Sequence, residues 1–214
     1  MKKISFITLS VLITFTQNTL AAPATDKSLY QIQKQWAVIK YKTAENQQEK
    51  AYKALAEKAH LLSSQNPSNA EPLIWEAIIL STLAGSEGGL GALSSVKKAK
   101  VLLEKSVEIN PKALNSGAYT SLGALYYQVP GWPISFGDDD KARKNLEIAI
   151  TKNAKSIDAN FFYAEFLADQ GEYDKAIIFY KTALKSPARP DRPLADEWCK
   201  EEIKIAMNKI QNKP

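Results

Sequence analysis

The sequence is short of the residues that carry covalent and metal chemistry. Its 214 residues include one cysteine, Cys199, and one histidine, His60. A single cysteine excludes a disulfide within the chain, and with a single histidine no Cys/His zinc site and no choice of catalytic histidines remains. There is no C-x-x-C motif, no G-x-x-x-x-G-K-[ST] phosphate loop and no twelve-residue EF-hand loop. Long apolar runs are missing too. Ile4 to Phe15, 12 residues broken only by Ser and Thr, falls short of the roughly 20 needed for a stable membrane anchor. Nor does charge of one sign dominate. Lys and Arg number 28 against 23 Asp and Glu, and they are interspersed (Lys97, Lys98, Glu104, Lys105, Glu108), which argues against a nucleic-acid partner. Apolar residues at 45% and charged residues at 24% are ordinary for a folded globular chain.

Residues 1–24 read as a signal peptide. Lys2 and Lys3 form a charged start and Ile4 to Phe15 an apolar stretch. Ala22-Pro23-Ala24 is a small-x-small cleavage signal, which places the cut after Ala24, with Ala21 as the second choice. No cysteine lies near the cut, which excludes a lipid-modified N-terminus. Loss of Lys2 and Lys3 lowers the formal charge from +5 to +3. The expected address is the periplasm, with no stable membrane insertion after cleavage.

The remaining chain carries apolar residues at spacings of three and four, with no sustained period-2 alternation. Lys27 to Lys42 carries Leu29, Ile32, Trp36 and Ile39; Tyr52 to Leu62 carries Leu55, Ala59 and Leu62. Pro72 to Ala84 is the richest in apolar residues and is expected to be the most buried helix. Ser186 to Pro193, with Pro187, Pro190 and Pro193, reads as an extended connector. Leu194 to Ile210 then resumes a helix with Ala195, Cys199, Ile203, Ala206 and Ile210 on one stripe.

Self-similarity organises these helices. Ala164, Gly171, Ala176, Tyr180 and Ala183 stand at the offsets of a tetratricopeptide repeat (TPR), and Gln170 to Ala176 resembles its turn and second-helix start. Leu122-Gly123, Tyr126, Ala142, Leu146 and Ala149 form an earlier copy. Ala77, Leu80, Ala99, Leu103 and Pro111 form another. The expected fold is all-α: a TPR-like α-solenoid, a right-handed superhelix of antiparallel helix pairs with a C-terminal capping helix. Its units are residues 25–67 (a degenerate helix pair), 68–111, 112–155 and 156–188, followed by the connector and cap at 189–214.

Two repeats carry long turns between their helices. One is Ala84-Gly85-Ser86-Glu87-Gly88-Gly89-Leu90-Gly91; the other runs from Val129 to Asp140 and contains Pro130-Gly131-Trp132-Pro133. Along one edge of a solenoid the two should be neighbours. Gly88 and Gly89 read either as an anion cradle or as a turn that needs positive φ. Trp132 and Phe136, with Tyr126 and Tyr127, read either as an aromatic wall for a ligand or as a plug over the core. Asp138, Asp139 and Asp140 read as a helix cap. His60 reads as a surface or packed histidine. Cys199 reads as a buried small hydrophobe, or, if exposed, as a link between two chains.

Two stretches resemble a family of secreted bacterial TPR proteins. One joins Leu122-Gly123-Ala124-Leu125-Tyr126-Tyr127, Val129-Pro130-Gly131-Trp132-Pro133, Phe136-Gly137-Asp138-Asp139 and Lys141-Ala142. The other joins Phe161-Phe162-Tyr163, Gln170-Gly171, Arg189-Pro190, Leu194-Ala195-Asp196 and Glu201-Glu202-Ile203. More loosely the chain is similar to the T-components of TRAP transporters. The resemblance covers about residues 70 to 205 and implies an all-helical periplasmic protein without a catalytic residue set.

Together these readings lead to a non-enzymatic periplasmic adaptor, with no metal and no cofactor. It would bind an envelope protein or peptide through its concave face and inserted turns. The alternative is a carrier of a small apolar or anionic ligand, serving a solute transporter, with a pocket of Trp75, Tyr126, Trp132 and Phe136. The candidate contact residues are Trp75, Gly88, Gly89, Tyr126, Tyr127, Pro130, Trp132 and Phe136. An enzyme is disfavoured because Glu201 and Glu202, adjacent on a helix, point apart.

Overall fold

The computed structural model of the chain describes residues 24–212, and the expected signal segment before Ala24 lies outside the described residues. These residues form nine helices: α1 (Ala24–Lys42), α2 (Glu45–Gln65), α3 (Ala70–Glu87), α4 (Gly89–Ile109), α5 (Ala113–Gln128), α6 (Asp139–Lys152), α7 (Ile157–Asp169), α8 (Tyr173–Leu184) and α9 (Pro193–Gln211). Among the described residues the β structure amounts to one isolated bridge, Gly131 to Gly137. No helix among them is long and apolar enough to cross a membrane. The expected all-helical class holds.

Local chemistry sets the helix ends. Asn69 Oδ1 accepts from the Glu71 amide at 3.1 Å, Asp138 Oδ1 from the Lys141 amide at 3.0 Å, and Ser156 Oγ from the Ala159 amide at 3.2 Å. Each satisfies a backbone donor that has no partner inside its own helix. Asp138 therefore caps α6, as its place before Lys141 to Ile150 suggests.

The Gly-rich stretch corrects an expectation. It is not an inserted loop. α3 continues to Glu87 and α4 starts at Gly89, with Gly88 (φ 67°) as the hinge. Ala84 to Glu87 can all be helical, so only the glycines that accept positive φ break the run. The extra residues lengthen both helices instead. α5 holds a feature not expected from its helical pattern. Leu114 (φ 47°), Asn115 (φ 54°) and Ser116 (φ 67°) form a left-handed turn before regular helix resumes. Such turns cost about 1–2 kcal/mol per residue; burial of Ala113 before it and of Ser116 within it holds this one.

Each helix packs against the next in the chain, and the odd-numbered helices also touch in succession: α1 with α3, α3 with α5, α5 with α7, α7 with α9. Small residues stand where helices meet. Ala77, Ala99, Ala142, Ala164 and Ala176 are fully buried. One apolar core runs from α3 to α9, and a second joins α1, α2 and the other side of α3.

The series also closes on itself, because α9 reaches α1. Tyr41 and Trp198 stack with centroids 5.6 Å apart and planes 10° apart. Lys42 Nζ lies 5.1 Å from the Trp198 ring centroid, and Lys40 Nζ meets Glu202 Oε1 at 3.0 Å. A stacked aromatic pair contributes about 0.5–1.5 kcal/mol beyond its buried area. Tyr41→Ala is therefore expected to speed amide exchange at the end of α1 and in α9 together, with α4 to α6 unchanged. Faster exchange in α1 alone would show that the contact does not couple the two ends.

Candidate functional site

The connector into α9 is held by charge. Arg189 Nη1 and Nη2 donate to Asp158 Oδ2 and Oδ1 at 2.6 and 3.2 Å. Arg189 Nε donates to Asp196 Oδ1 at 2.8 Å, and the Arg189 amide to Asp196 Oδ2 at 2.7 Å. Arg192 adds a contact to Asp158 at 3.3 Å and lies 5.0 Å over the Trp75 ring. Burial opposes the charge on Asp158, but the charges and hydrogen bonds of Arg192 and Arg189 outweigh it and hold its carboxyl below the ordinary aspartate range. Cys199, on the same helix, is buried, and burial pushes its thiol well up. The reading as a packed hydrophobe is the one the structure supports.

Trp75 is only 2% exposed, packed against Trp36 and covered by Arg192. This takes it out of the expected ligand pocket. Its place on the most apolar helix already favoured the core, and ten of the 18 residues of α3 are buried. Gly88 and Gly89 line no cleft with the second turn. The Glu87 carboxylate lies over the first turn of α4, 2.6 Å from where a Cβ on Gly91 would stand, so the chain's own acid covers that helix start.

The second long turn is a real loop, between α5 and α6. The Gly137 amide donates to Pro130 O at 3.0 Å, the Ile134 amide to Gly131 O at 3.1 Å and the Asp138 amide to Tyr126 O at 2.9 Å. Gly137 is required there: a Cβ would sit 1.9 Å from the Val129 carbonyl oxygen. The Trp132–Pro133 bond is cis. This hydrogen-bonded base presents Trp132, 90% exposed, and Ile134, 62% exposed, at the tip.

The expected aromatic wall divides. Tyr126 is buried and meets Phe136 edge-on at 5.8 Å, so these two plug the core beneath the loop. Lys100 from α4 lies 5.8 Å from the Phe136 ring and ties the loop to the preceding hairpin. Tyr127 is half-buried against Phe166, with centroids 5.8 Å apart, and burial raises its phenol far above the ordinary range. Trp132 alone of the four stands in solvent.

Beside the loop an open cleft of about 450 Å³ is lined by Tyr126, Tyr127, Pro130, Asp138, Asp139 and Asp169, among others. The lining carries three carboxylates and no basic residue. Lys141, which hydrogen-bonds Asp138, keeps that carboxyl below its usual range. Residues 84–91 take no part in the lining, so the two long turns do not build one site. Asp169, at the end of α7, was not anticipated: only the packing of α7 against α5 brings it beside the loop.

Among the described residues no group of three or more His, Cys, Asp or Glu is placed to hold a metal ion. No protein-family model matches the chain, and no curated protein matches it.

Proposed function

We propose that the protein is a non-enzymatic adaptor of the periplasm, a TPR-like right-handed superhelix with α9 as its cap, that binds an envelope protein or peptide. The helix pairs, the contacts between successive odd-numbered helices and the buried small residues support the architecture. The contact of α9 with α1 moves the docking surface away from the inner face and toward the α5–α6 loop. The observation that carries the reading is Trp132: a large aromatic, 90% exposed, on a loop whose base is hydrogen-bonded and tightly packed. Tryptophan dominates binding energy at interfaces, and an ordered loop presents it at little entropic cost.

The test is a photo-crosslinking residue at position 132, followed by affinity measurement with the partner it captures. Trp132→Ala is expected to weaken that complex by about 2 kcal/mol or more, roughly 30-fold. Stability should stay within about 0.5 kcal/mol of the parent. Equal affinity of the variant would remove the loop from the interface.

The second reading, a small-ligand carrier or an accessory protein of a solute transporter similar to TRAP T-components, draws on the cleft volume, which falls in the ordinary range for ligand sites. The polar, acidic lining favours a cationic ligand over the apolar or anionic one expected from the sequence. Native mass spectrometry separates the readings: a retained small molecule supports the carrier.

A further inference from the structure

The single histidine has partners that no motif announced. His60 and Ser64 stand one turn apart in the last turns of α2, so their side chains share a face. Glu76 of α3 lies opposite, 5% exposed. His60 Nδ1 is 2.9 Å from Glu76 Oε1, and Ser64 Oγ is 3.5 Å from His60 Nε2. The single Ser63 hydroxyl hydrogen has two acceptors in reach, the other Glu76 oxygen and His60 O.

The buried carboxylate dictates the protonation pattern. A carboxylate only accepts, so the bond to Glu76 requires the proton on Nδ1. In the neutral ring, the Nε2 lone pair then faces the Ser64 hydroxyl. The order hydroxyl, imidazole, buried acid is the arrangement that activates a serine nucleophile, and the 3.5 Å contact is of the loose kind such pairs show before a substrate tightens them. The His60 side chain is 71% exposed and Ser64 is exposed, so a reagent reaches both. Ser63 serves a different purpose: it is buried and gives Glu76 a second donor.

We propose that Ser64 is an activated serine that accepts an acyl group from an activated ester, a reactivity separate from the adaptor role. In the step, Ser64 Oγ bonds to the acyl carbon while its proton passes to His60 Nε2. The bond from that carbon to the leaving oxygen then breaks, and the departing alkoxide takes the proton from Nε2. The products are acyl-Ser64 and the alcohol. The backbone N–H groups around Ser64 belong to the hydrogen-bond ladder of α2. No pair of them is free to stabilise the oxyanion, a stabilisation that makes acyl transfer fast. Ser64 is therefore a modification site that holds its acyl group, not a rapid hydrolase.

The test treats the purified protein with a fluorophosphonate, which reports activated serine oxygens, and follows adduct formation by intact mass and peptide mapping. Expected is a single adduct on Ser64, lost in Ser64→Ala. His60→Ala should slow labelling by about 100-fold or more, and Glu76→Gln by about 10-fold or more, through loss of the tautomer. Circular dichroism confirms that each variant is folded; Ser64→Ala and His60→Ala change exposed side chains and are expected to fold. No adduct, adducts spread evenly over several serines, or unchanged labelling of His60→Ala would each overturn the proposal.

Discussion

Arg189→Ala is expected to lower the unfolding free energy by about 3–5 kcal/mol, the cost of removing one partner from a buried ion pair. The reason is Asp196. It is 4% exposed and depends on Arg189 for both a side-chain and a backbone donor. The variant keeps the amide and loses the guanidinium, so a buried carboxylate is left with half its support. For a chain of this size, that corresponds to a fall in Tm of roughly 10 °C. Urea denaturation measures it, and a loss under about 1 kcal/mol would mean that water replaces the guanidinium at no great cost.

The same network fixes the sign of an acid effect. The folded-state pKa of Asp158 is depressed: burial pushes it up, and Arg192 and Arg189 push it further down. A depressed carboxylate adds stability above its unfolded pKa, about 3.9, and that stability is lost as pH falls through the lower folded value. The parent should therefore lose stability below about pH 4, and Arg189→Ala should lose less over that window, having less to lose. Asp158 keeps 35% of its side chain exposed, so solvent screening makes this the smaller effect.

Trp75→Ala is expected to cost about 3–5 kcal/mol as well, from a different source. The indole is buried in the core of α1, α2 and α3, edge-on to Trp36 at 5.8 Å, and supports Arg192 on its face. Alanine leaves a cavity there. Its Nε1–H meets no acceptor among the described residues, so Trp75→Phe removes an unmet donor along with some volume and should cost only about 1 kcal/mol. Chemical denaturation of both variants checks the ordering; a Phe variant as damaged as the Ala variant would mean that the nitrogen does have a partner. Because Arg192 touches both Trp75 and Asp158, Trp75→Ala and Arg189→Ala share a neighbour and should combine non-additively.

How far the sequence could be read depended on the range of the interaction. The all-helical class and the Asp138 cap follow from residues within a few places of each other, and the structure agrees on both; the proline connector is shorter than expected, since Pro193 opens α9, and it turns at Arg189 to Arg192. The reading of Ala84 to Gly91 as a loop failed because four helix-compatible residues before Gly88 were counted with the glycines. Trp75 shows a conflict within the sequence reading itself: periodicity assigned it to the most buried helix, while its aromatic character suggested a pocket. Burial won. The left-handed turn at Leu114 to Ser116 was missed: Asn115 tolerates that conformation and Gly117 follows it, but Leu114 is of a type that rarely enters it. Ser64 stands one turn from His60, but nothing in the sequence marked the two as a pair. Nor was Glu76 legible, since its role depends on how α3 lies against α2. Asp169 reached the cleft through a similar long-range packing.

The contact between α1 and α9 changes how the molecule should come apart. In an open row of helix pairs each unit answers only to its neighbours, so the outermost pairs melt first and independently. Here Lys40 and Glu202, 162 positions apart in sequence, are in contact, and the row has no free end. Fraying at either terminus must break the same seam, so the first and last helices stand or fall as one cooperative unit. That seam forms only once α9 is in place beside α1.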